Sequence, residues 1–341
     1  MTLLNHKLVD AATPNESFRA ARFLDLIADK LAATEGVFRS RLASDVPFIE
    51  QTGEYIFAGG GKRMRPALLL LCARLLGRDS DEEVTYAAVV EFIHTATLIH
   101  DDIIDHATTR RGRKTVNELW GNSQTVLLGD WLYTTAMKMA LEHDSLAILD
   151  RLCDATLRMT EGELLAERRL GATDLSVGEY FEIVDRKTAQ LFAAACSVPA
   201  RMRPTVESAI APLERYGRAL GICFQLADDL LDFTANARTL GKPVLADLKE
   251  GKLTLPLILL LPRLGDLERG RIETVLADRS FARVPAESIL ELVRREGTLE
   301  ESSAAALRFA AEAREALASL PDNDAREALE FAPDFVLHRR S

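Results

Sequence analysis

Helical periodicity dominates the hydrophobic pattern of this chain from about residue 16 to its end. Apolar residues recur every three or four positions, and the alternating runs typical of strands are nearly absent. Glycine and proline interrupt the pattern locally, for example at Gly59, Gly121, Gly171, Pro204 and Pro243, and segments of helical length lie between them. The pattern predicts an all-α protein.

Segments 84–106 and 214–236 are apolar around most of their circumference. Such helices need burial on all sides, so we expect them inside a bundle of antiparallel helices. From about Leu267 onward, charged residues alternate with Ala and Leu, as in a peripheral amphipathic layer. Since neither a linker-like segment nor a repeat of fixed period interrupts the chain, we expect one domain over residues 1–341, with residues 1–15 as a loose segment.

Charge and composition restrict the classes of function. The net charge of −10 disfavours nonspecific binding to nucleic acid, which needs a basic surface. The longest apolar tracts fall far short of the ~20 residues that span a bilayer, and the N-terminus does not resemble a secretory signal. Four scattered cysteines, without C-x-x-C spacing, are expected to be reduced and buried. We therefore expect a cytoplasmic protein without a transmembrane segment or a zinc site.

Two Asp-Asp-x-x-Asp clusters carry the clearest chemistry. The first is Asp101, Asp102 and Asp105, and the second is Asp228, Asp229 and Asp232, which begins 127 residues further along the chain. On an α-helix these positions point about 0°, 100° and 40° around the axis, so three carboxylates share one side. An isolated acidic cluster is as easily a solvated surface. Its recurrence within two apolar segments instead favours binding of a hard cation such as Mg²⁺, with Mn²⁺ as a substitute.

Basic residues lie close to both clusters in sequence and suit a ligand that carries phosphate. A glycine-rich loop, residues 59–61, is followed by Lys62, Arg63 and Arg65, and Arg110 and Arg111 follow the first cluster. Lys187 and Thr188 lie within a predicted helix that begins near residues 174–176 and runs towards Val198, and Lys242 and Lys252 follow the second cluster. Each of these cations alone is more readily a surface charge, but together they indicate a metal-dependent enzyme that acts on diphosphates.

With these motifs together, the chain resembles the trans-isoprenyl diphosphate synthases. More narrowly, it resembles the long-chain all-trans polyprenyl diphosphate synthases of the octaprenyl, solanesyl and decaprenyl type. The matching segments are GGGKRMRP (59–66), EFIHTATLIHDDIIDHATTRRG (91–112), LLGDWLYTTAM (127–137), DRKTAQLF (185–192), FQLADDLLDF (224–233) and GKPVLADLKEGKLTLP (241–256). The resemblance implies the isoprenoid synthase fold, in which helices surround a deep central cavity, and usually a homodimer. One departure is Ala246, where close relatives often have an acidic residue before Asp247.

The resemblance also implies roles for individual residues. Asp101 and Asp105, with Asp228 opposite them, would coordinate the Mg²⁺ that binds the allylic diphosphate. Isopentenyl diphosphate would contact Lys62, Arg65, His94 and Arg111. The allylic diphosphate would contact Arg110, Lys187, Thr188, Gln225, Lys242 and Lys252. The implied reaction is head-to-tail condensation of isopentenyl diphosphate with an allylic diphosphate, for the side chain of a quinone.

Product length, in the family that this chain resembles, depends on the residues four and five positions before the first aspartate. Short-chain members carry bulky aromatic residues there, whereas this chain has Thr97 and Ala96. Both are small, which favours a long product of about C40 to C50, although Ala96 could instead be a close helix contact. Met137 or Met139 could form the floor of the cavity.

Three other functions remain open from the sequence. A shorter-chain synthase, with products of about C15 to C20, would share all the motifs. A class I terpene cyclase would not need Lys62, Arg65 and Arg111 for a second diphosphate. A non-catalytic partner subunit would typically have lost one of the two acidic clusters.

Overall fold

The computed structural model describes residue 21 and residues 23–234 and 244–338. It is 78% helical, which confirms the prediction of an all-α protein. The described residues contain only two short strands, Thr109–Arg110 (β1) and Arg113–Lys114 (β2). Each has two residues, and together they form an antiparallel hairpin. None of the described helices is long and apolar enough to cross a membrane.

The α-helices whose bounds lie within the described residues follow one another along the chain. In order they are α1 (Ala28–Arg41), α2 (Pro47–Ala58), α3 (Met64–Leu75), α4 (Glu82–Ile104), α5 (Val116–Trp120), α6 (Asn122–Ala140), α7 (Leu146–Arg168), α8 (Val177–Val184), α9 (Gln190–Arg201), α10 (Ile210–Thr234), α11 (Ala246–Glu250), α12 (Leu255–Leu260), α13 (Asp266–Asp278), α14 (Ala286–Glu296), α15 (Thr298–Ala316) and α16 (Asp324–Leu337). A π-helical turn, Asp185–Ala189, joins α8 to α9, and short 3₁₀ helices span Pro204–Ala209 and Leu261–Arg263.

Contacts within the chain divide it into two compact units. The first unit comprises the residues up to Thr156, Leu191–Glu214 and Leu317–Glu330. The second comprises Leu157–Gln190, Arg215–Ala316 and the residues from Phe331 onward. The expected organisation as one domain over the whole chain stays a prediction.

Helix α4 lies inside the first unit over most of its length. Residues 87–90 on α4 are fully buried, because small and β-branched side chains around the helix let neighbouring helices approach from several directions. Helices α6, α3 and α1 all pack against it. The prediction that segment 84–106 lies inside the fold is therefore confirmed, and this burial fixes the position of the aspartates at the end of α4.

The core of the second unit gathers apolar side chains from several short helices around the part of α10 that lies in this unit. Ile222, Leu226 and Phe233 on α10 pack in one cluster with Leu257 on α12 and Ile272 on α13. Leu245, which directly precedes α11, and Leu248, which lies on α11, belong to the same cluster. This packing holds the second acidic cluster, also on α10, beside the short helix α11.

The cysteines correct one expectation. Cys72, Cys196 and Cys223 are buried, as predicted, but Cys153 on α7 is exposed. Its apolar neighbours in sequence suggested burial. However, on a helix residues adjacent in sequence point in different directions, and Cys153 lies on the outward face. Its Sγ atom lies 3.8 Å from Sδ of Met137.

Candidate active site

The first acidic cluster lies at the carboxyl end of α4. Asp101 and Asp102 are in the last turn, and Asp105 is the C-cap residue, whose backbone N–H donates to the carbonyl of Asp101 at 2.8 Å. Helix dipoles disfavour anionic side chains at this end. The position of three carboxylates there is therefore unfavourable for the isolated fold and suits a site for a cation.

Asp102 is the buried member of the cluster and is held by an arginine. Arg110 Nε donates to Asp102 Oδ1 at 2.7 Å. Arg110 lies on β1, and the tight turn at Arg111 and Gly112, both with positive φ, reverses the chain into β2. The hairpin thus brings the basic residues that follow the first cluster back against it, as the sequence suggested.

The glycine-rich loop between α2 and α3 meets the same hairpin. Arg111 donates to the backbone carbonyl of Gly60, and Arg113 donates to the carbonyl of Tyr55 at 2.9 Å. Arg63, in the left-handed conformation, forms a close ion pair with the buried carboxylate of Glu91. Backbone carbonyls and one carboxylate therefore orient the guanidinium groups of this region.

These elements enclose a cleft of about 660 Å³ in the first unit. Its polar lining contains His94 and Arg111, which were predicted to bind isopentenyl diphosphate, Arg110, which was predicted to bind the allylic diphosphate, and Asp102. Tyr55, Arg63, Glu91, Arg113 and Lys114 also line the cleft, although they were not predicted as site residues. Three of them, Arg63, Arg113 and Lys114, stand in the basic runs KRMR and RRGRK, from which only Lys62, Arg65, Arg110 and Arg111 were predicted to bind diphosphate.

Lys62 and Arg65 are not among the residues that line this cleft. Arg65 instead lies over the ring of Phe192, with Cζ 4.4 Å from the ring centroid. Burial lowers the pKa of Arg65 to about 10. The predicted contact of Lys62 and Arg65 with isopentenyl diphosphate stays a prediction.

His94 is the titratable group most affected by the cleft. Burial, followed by the positive charges of Arg65 and Arg111, lowers the pKa of the His94 imidazole well below its ordinary value. The ring is therefore neutral at neutral pH and has one donor and one acceptor nitrogen. A neutral donor surrounded by arginines is suited to a polyanion.

The second acidic cluster lies on α10, in the second unit. Asp228 is exposed and Asp229 is buried. Asp229 accepts hydrogen bonds from the Tyr180 hydroxyl at 2.5 Å and from Gln225 Nε2 at 2.8 Å. Asp232 accepts from the backbone amides of Ala246 and Asp247, the first residues of α11, at 2.9 and 3.1 Å.

Negative charge accumulates around this cluster. Burial raises the pKa of Asp229 to about 7, the hydrogen bonds from Tyr180 and Gln225 oppose this rise, and the charges of Asp228 and Asp232 add to it. Burial and the charges of Asp232 and Asp229 likewise raise the pKa of Asp247 well above its usual range. Crowded carboxylates of this kind are stabilised by a bound cation.

Lys187 and Thr188 lie in the π-helical turn, Asp185–Ala189, which follows α8. Helix α8 begins with a capping box between Ser176 and Glu179, so the N-terminus predicted near residues 174–176 is confirmed. Thr188 Oγ1 donates to Gln225 Oε1 at 2.9 Å, and Lys187 Nζ lies 2.5 Å from Glu163 Oε2 on α7. A π-turn is a common local irregularity at functional sites.

A second cleft, of about 860 Å³, opens over these residues in the second unit. Of the predicted site residues it is lined by Lys187, Thr188, Gln225, Asp229 and Lys252. Glu163, Arg169, Tyr180 and Asp247 line it too and were not predicted. Lys242 lies outside the residues that the structure describes.

Neither acidic cluster presents a complete set of metal ligands. Among the described residues, no three or more His, Cys, Asp or Glu side chains are arranged to hold a metal ion. The reason is visible in the contacts, because Asp102, Asp229 and Asp232 accept hydrogen bonds from the protein. A divalent cation nevertheless fits the accumulated charge, provided that water and a phosphate ligand complete its coordination.

Ala96 and Thr97, which were predicted to set product length, lie on α4. Ala96 is 2% exposed, and Thr97 is half-buried with its hydroxyl donating to the carbonyl of His94 at 2.9 Å. Met139 on α6 is buried, whereas Met137 is half-buried and faces Cys153. Neither methionine lines the two clefts, and their predicted role as the floor of the cavity stays a prediction.

Most of this chain is similar in sequence to known proteins. The family model described as polyprenyl synthetase matches residues 46–293. An octaprenyl diphosphate synthase of Escherichia coli (strain K12) is 39% identical over 89% of this chain and 94% of its own length. A short chain isoprenyl diphosphate synthase of Methanothermobacter thermautotrophicus is 38% identical over 85% of this chain and 90% of its own length.

Solved structures extend the similarity to the fold. A crystal structure of a polyprenyl synthase from Caulobacter crescentus CB15, complexed with calcium and isoprenyl diphosphate, matches with a TM-score of 0.88 at 38% identity. The match covers 97% of this chain and 99% of that one. The all-α fold predicted from the sequence is therefore also the fold of a polyprenyl synthase.

Proposed function

The chain belongs to the polyprenyl synthetase family, and from this premise we propose that it condenses isopentenyl diphosphate with an allylic diphosphate to form an all-trans polyprenyl diphosphate. The observation that carries the proposal is the presence of two clefts, each lined by cations and adjoining its own aspartate cluster. A condensation of two diphosphates needs two cationic sites, of which only the one for the allylic diphosphate needs metal ions, whereas a hydrolase or a terpene cyclase needs one site.

The cleft of the first unit is the proposed site for isopentenyl diphosphate. His94, Arg111 and Arg63 line it, and Arg113 and Lys114 add further positive charge. Guanidinium groups held by backbone carbonyls are oriented before the ligand arrives, so less side-chain entropy is lost on binding. A concentration of cations in one cleft suits a small diphosphate.

The cleft of the second unit is the proposed site for the allylic diphosphate. Lys187 and Thr188 would hold its phosphates, and Lys242 and Lys252 are proposed to assist them. Thr188 and Gln225, which are hydrogen-bonded to each other, are proposed to stabilise the allylic cation after the carbon–oxygen bond breaks. The departed diphosphate then accepts the proton released after carbon–carbon bond formation.

Magnesium is the proposed cofactor, with manganese as a substitute, and Asp101, Asp105 and Asp228 are its proposed direct ligands. Asp102, Asp229 and Asp232 were also proposed as ligands, and their protein hydrogen bonds suit them to orient the others. A bound divalent cation supplies charge neutralisation of the leaving diphosphate. The Caulobacter crescentus synthase, which was crystallised with calcium and isoprenyl diphosphate, supports this chemistry.

A long product, of about C40 to C50, is the preferred proposal. The small residues Ala96 and Thr97 support it, as does the similarity to an octaprenyl diphosphate synthase. The shorter-chain alternative also has support, because a short chain isoprenyl diphosphate synthase is 38% identical. A quinone side chain as the destination of the product and a cytoplasmic location stay predictions.

We also propose a homodimer. Leu127 on α6 and Leu141, the C-cap residue of α6, are 67% and 48% exposed, and Leu146 at the start of α7 is 73% exposed. Exposed leucines concentrated on one hairpin of helices are typical of a protein interface. A second copy of the chain is the proposed partner.

One incubation tests the central proposal. The purified chain, supplied with Mg²⁺, farnesyl diphosphate and labelled isopentenyl diphosphate, should form labelled polyprenyl diphosphates whose length chromatography measures. Asp101→Asn and Asp228→Asn should each reduce turnover by at least about 100-fold, because a neutral amide is a weaker ligand for a hard cation. Turnover of the allylic diphosphate without isopentenyl diphosphate would instead indicate a cyclase, and product formation only with a second protein would indicate a partner subunit.

A further inference from the structure

The segment Glu161–Gly162–Glu163 of α7 lies directly against the π-helical turn of the second unit. A Cβ atom added to Gly162 would lie 2.6 Å from the backbone nitrogen of Lys187 and 2.8 Å from Cβ of Arg186. Only glycine permits this approach, because the nearest atom belongs to the backbone and cannot move aside. The distance between α7 and the turn is therefore fixed at this point.

Two carboxylates flank this contact and pair with consecutive residues of the turn. Glu161 forms a close ion pair with Arg186, which is also paired with Glu182 at 2.9 Å. Glu163 pairs with Lys187 at 2.5 Å. Glu163 and Lys187 line the cleft, whereas Glu161 and Arg186 do not. The two glutamates are thus similar in position but differ in access to the ligand.

The Glu163–Lys187 pair lies in the cleft that is proposed to bind the allylic diphosphate, where Lys187 would contact the phosphates. The charged residues that line the cleft are the acids Glu163, Glu167, Asp229 and Asp247 and the bases Arg169, Lys187 and Lys252. The lining therefore has one more acid than base, and Glu163, with a side chain only 16% exposed, contributes to this excess next to Lys187. Because Gly162 holds α7 in place, Glu163 cannot withdraw by a movement of the helix.

We propose that Glu163 is a positioning residue that holds the ammonium group of Lys187 in the cleft and competes with diphosphate for it. Before binding, the pair keeps Lys187 extended along α7. When the diphosphate arrives, Lys187 turns to it, and the nearby carboxylate limits how tightly the anion is held. Glu163 thereby favours release of the inorganic and polyprenyl diphosphates. The inference rests on the proposed role of Lys187 in the proposed function.

The test compares Glu163→Gln with Glu161→Gln as a matched control. Removing the negative charge of Glu163 should lower the Kd for inorganic diphosphate with Mg²⁺, measured by calorimetry, by about five- to tenfold, as expected for one unit charge a few ångströms away in a partly hydrated cleft. The KM for farnesyl diphosphate should fall with it, and kcat should also fall because release is slower. Glu161→Gln should change these values less than about twofold, since Arg186 keeps Glu182 as a partner.

A second variant separates charge from packing. Glu163→Asp keeps the charge, so its Kd for diphosphate should stay close to that of the original chain. A Kd that rises in Glu163→Gln, or that changes equally in Glu161→Gln, would overturn the inference. Because calorimetry needs no turnover, tighter binding by Glu163→Gln in a chain that makes no polyprenyl product would support the inference and refute the proposed function. Product formation with unchanged Kd would do the reverse, and a chain that binds no diphosphate would overturn both.

Discussion

At the residue scale, His94 shows how the cleft of the first unit changes an ordinary side chain. A helical histidine is most often a solvated or packing residue, and its sequence position, seven residues before Asp101, only suggested more. In the structure it lies among arginines, and burial together with their charges lowers the pKa of its imidazole. A group kept neutral in this way reports directly on the electrostatics of the proposed isopentenyl diphosphate site.

The lowered pKa of His94 predicts a dependence of stability on pH. An unfolded histidine titrates near 6.5, so below about pH 6.5 the unfolded chain binds a proton that the folded chain does not. This contribution to stability is complete above that pH and is lost as the pH falls towards the folded pKa. His94→Gln should therefore lose less stability than the original chain between about pH 8 and pH 5.5, measured by thermal unfolding. The exposed His338, changed to Gln, is the control, and equal pH dependence in all three proteins would contradict the prediction.

At the scale of the element, the π-turn depends on its fit to α7. The pattern of apolar residues predicted one helix from about residue 176 to Val198, whereas the structure has α8, the π-turn and α9 in succession. Periodicity cannot reveal an extra residue in one turn, because the apolar positions on either side are still read as helical. In the structure, the π-turn lies at the point where Gly162 of α7 closely approaches the backbone of Lys187.

Gly162→Ala should disturb this contact. The added methyl group would overlap the backbone of Lys187, so the turn must shift and both Lys187 and Thr188 must move with it. We expect the KM for the allylic diphosphate to rise at least about tenfold, while the KM for isopentenyl diphosphate changes little. Steady-state kinetics with each substrate varied in turn would measure the two effects.

Gly36 on α1 is the matched control for this change. It is a helical glycine with no atom within 4 Å of its added Cβ. Gly36→Ala should therefore keep both KM values and stabilise the protein by about 0.5–1 kcal/mol, the usual difference in helix propensity. Equal kinetic effects of the two substitutions would show that the contact at Gly162 is not what positions the turn.

Helix α4 permits a graded test of product length. Ala96 is buried, so a larger side chain must occupy space that is now shared by its neighbours, including any path for the growing chain. Ala96→Leu and Ala96→Phe should shorten the product progressively, measured by chromatography of the labelled products. Because overpacking can cost about 1–3 kcal/mol, thermal unfolding should confirm that both variants are folded. Folded variants with unchanged products would identify Ala96 as a simple helix contact.

At the scale of the whole molecule, the proposed dimer predicts a change in molecular mass. Leu127→Glu places a charge on the exposed apolar face of α6 and should convert a dimer to a monomer, measured by size-exclusion chromatography with light scattering. Leu267→Glu is the control, because Leu267 is 80% exposed but lies among charged residues on α13. If the chain is monomeric before substitution, the dimer proposal is wrong.

The sequence by itself determined the features that depend on helical periodicity or on a short motif. The all-α class, the buried segment that contains α4, the capping box at Ser176 and both aspartate clusters follow from spacing within a few turns, where local geometry is nearly fixed. Family resemblance added the pairing of these motifs with diphosphates. Predicted residues such as His94, Arg111, Lys187 and Gln225 do lie in the two clefts.

Only the tertiary structure decided which charged side chains face each other. Arg63 and Arg113 line the first cleft although Lys62 and Arg65 do not, and Glu163 meets Lys187 from a helix 24 residues away in sequence. The exposure of Cys153 was likewise decided by the orientation of a helix. The physical reason is that the free energy of a charged side chain depends on its burial and on its partners. Both depend on elements that are distant in sequence.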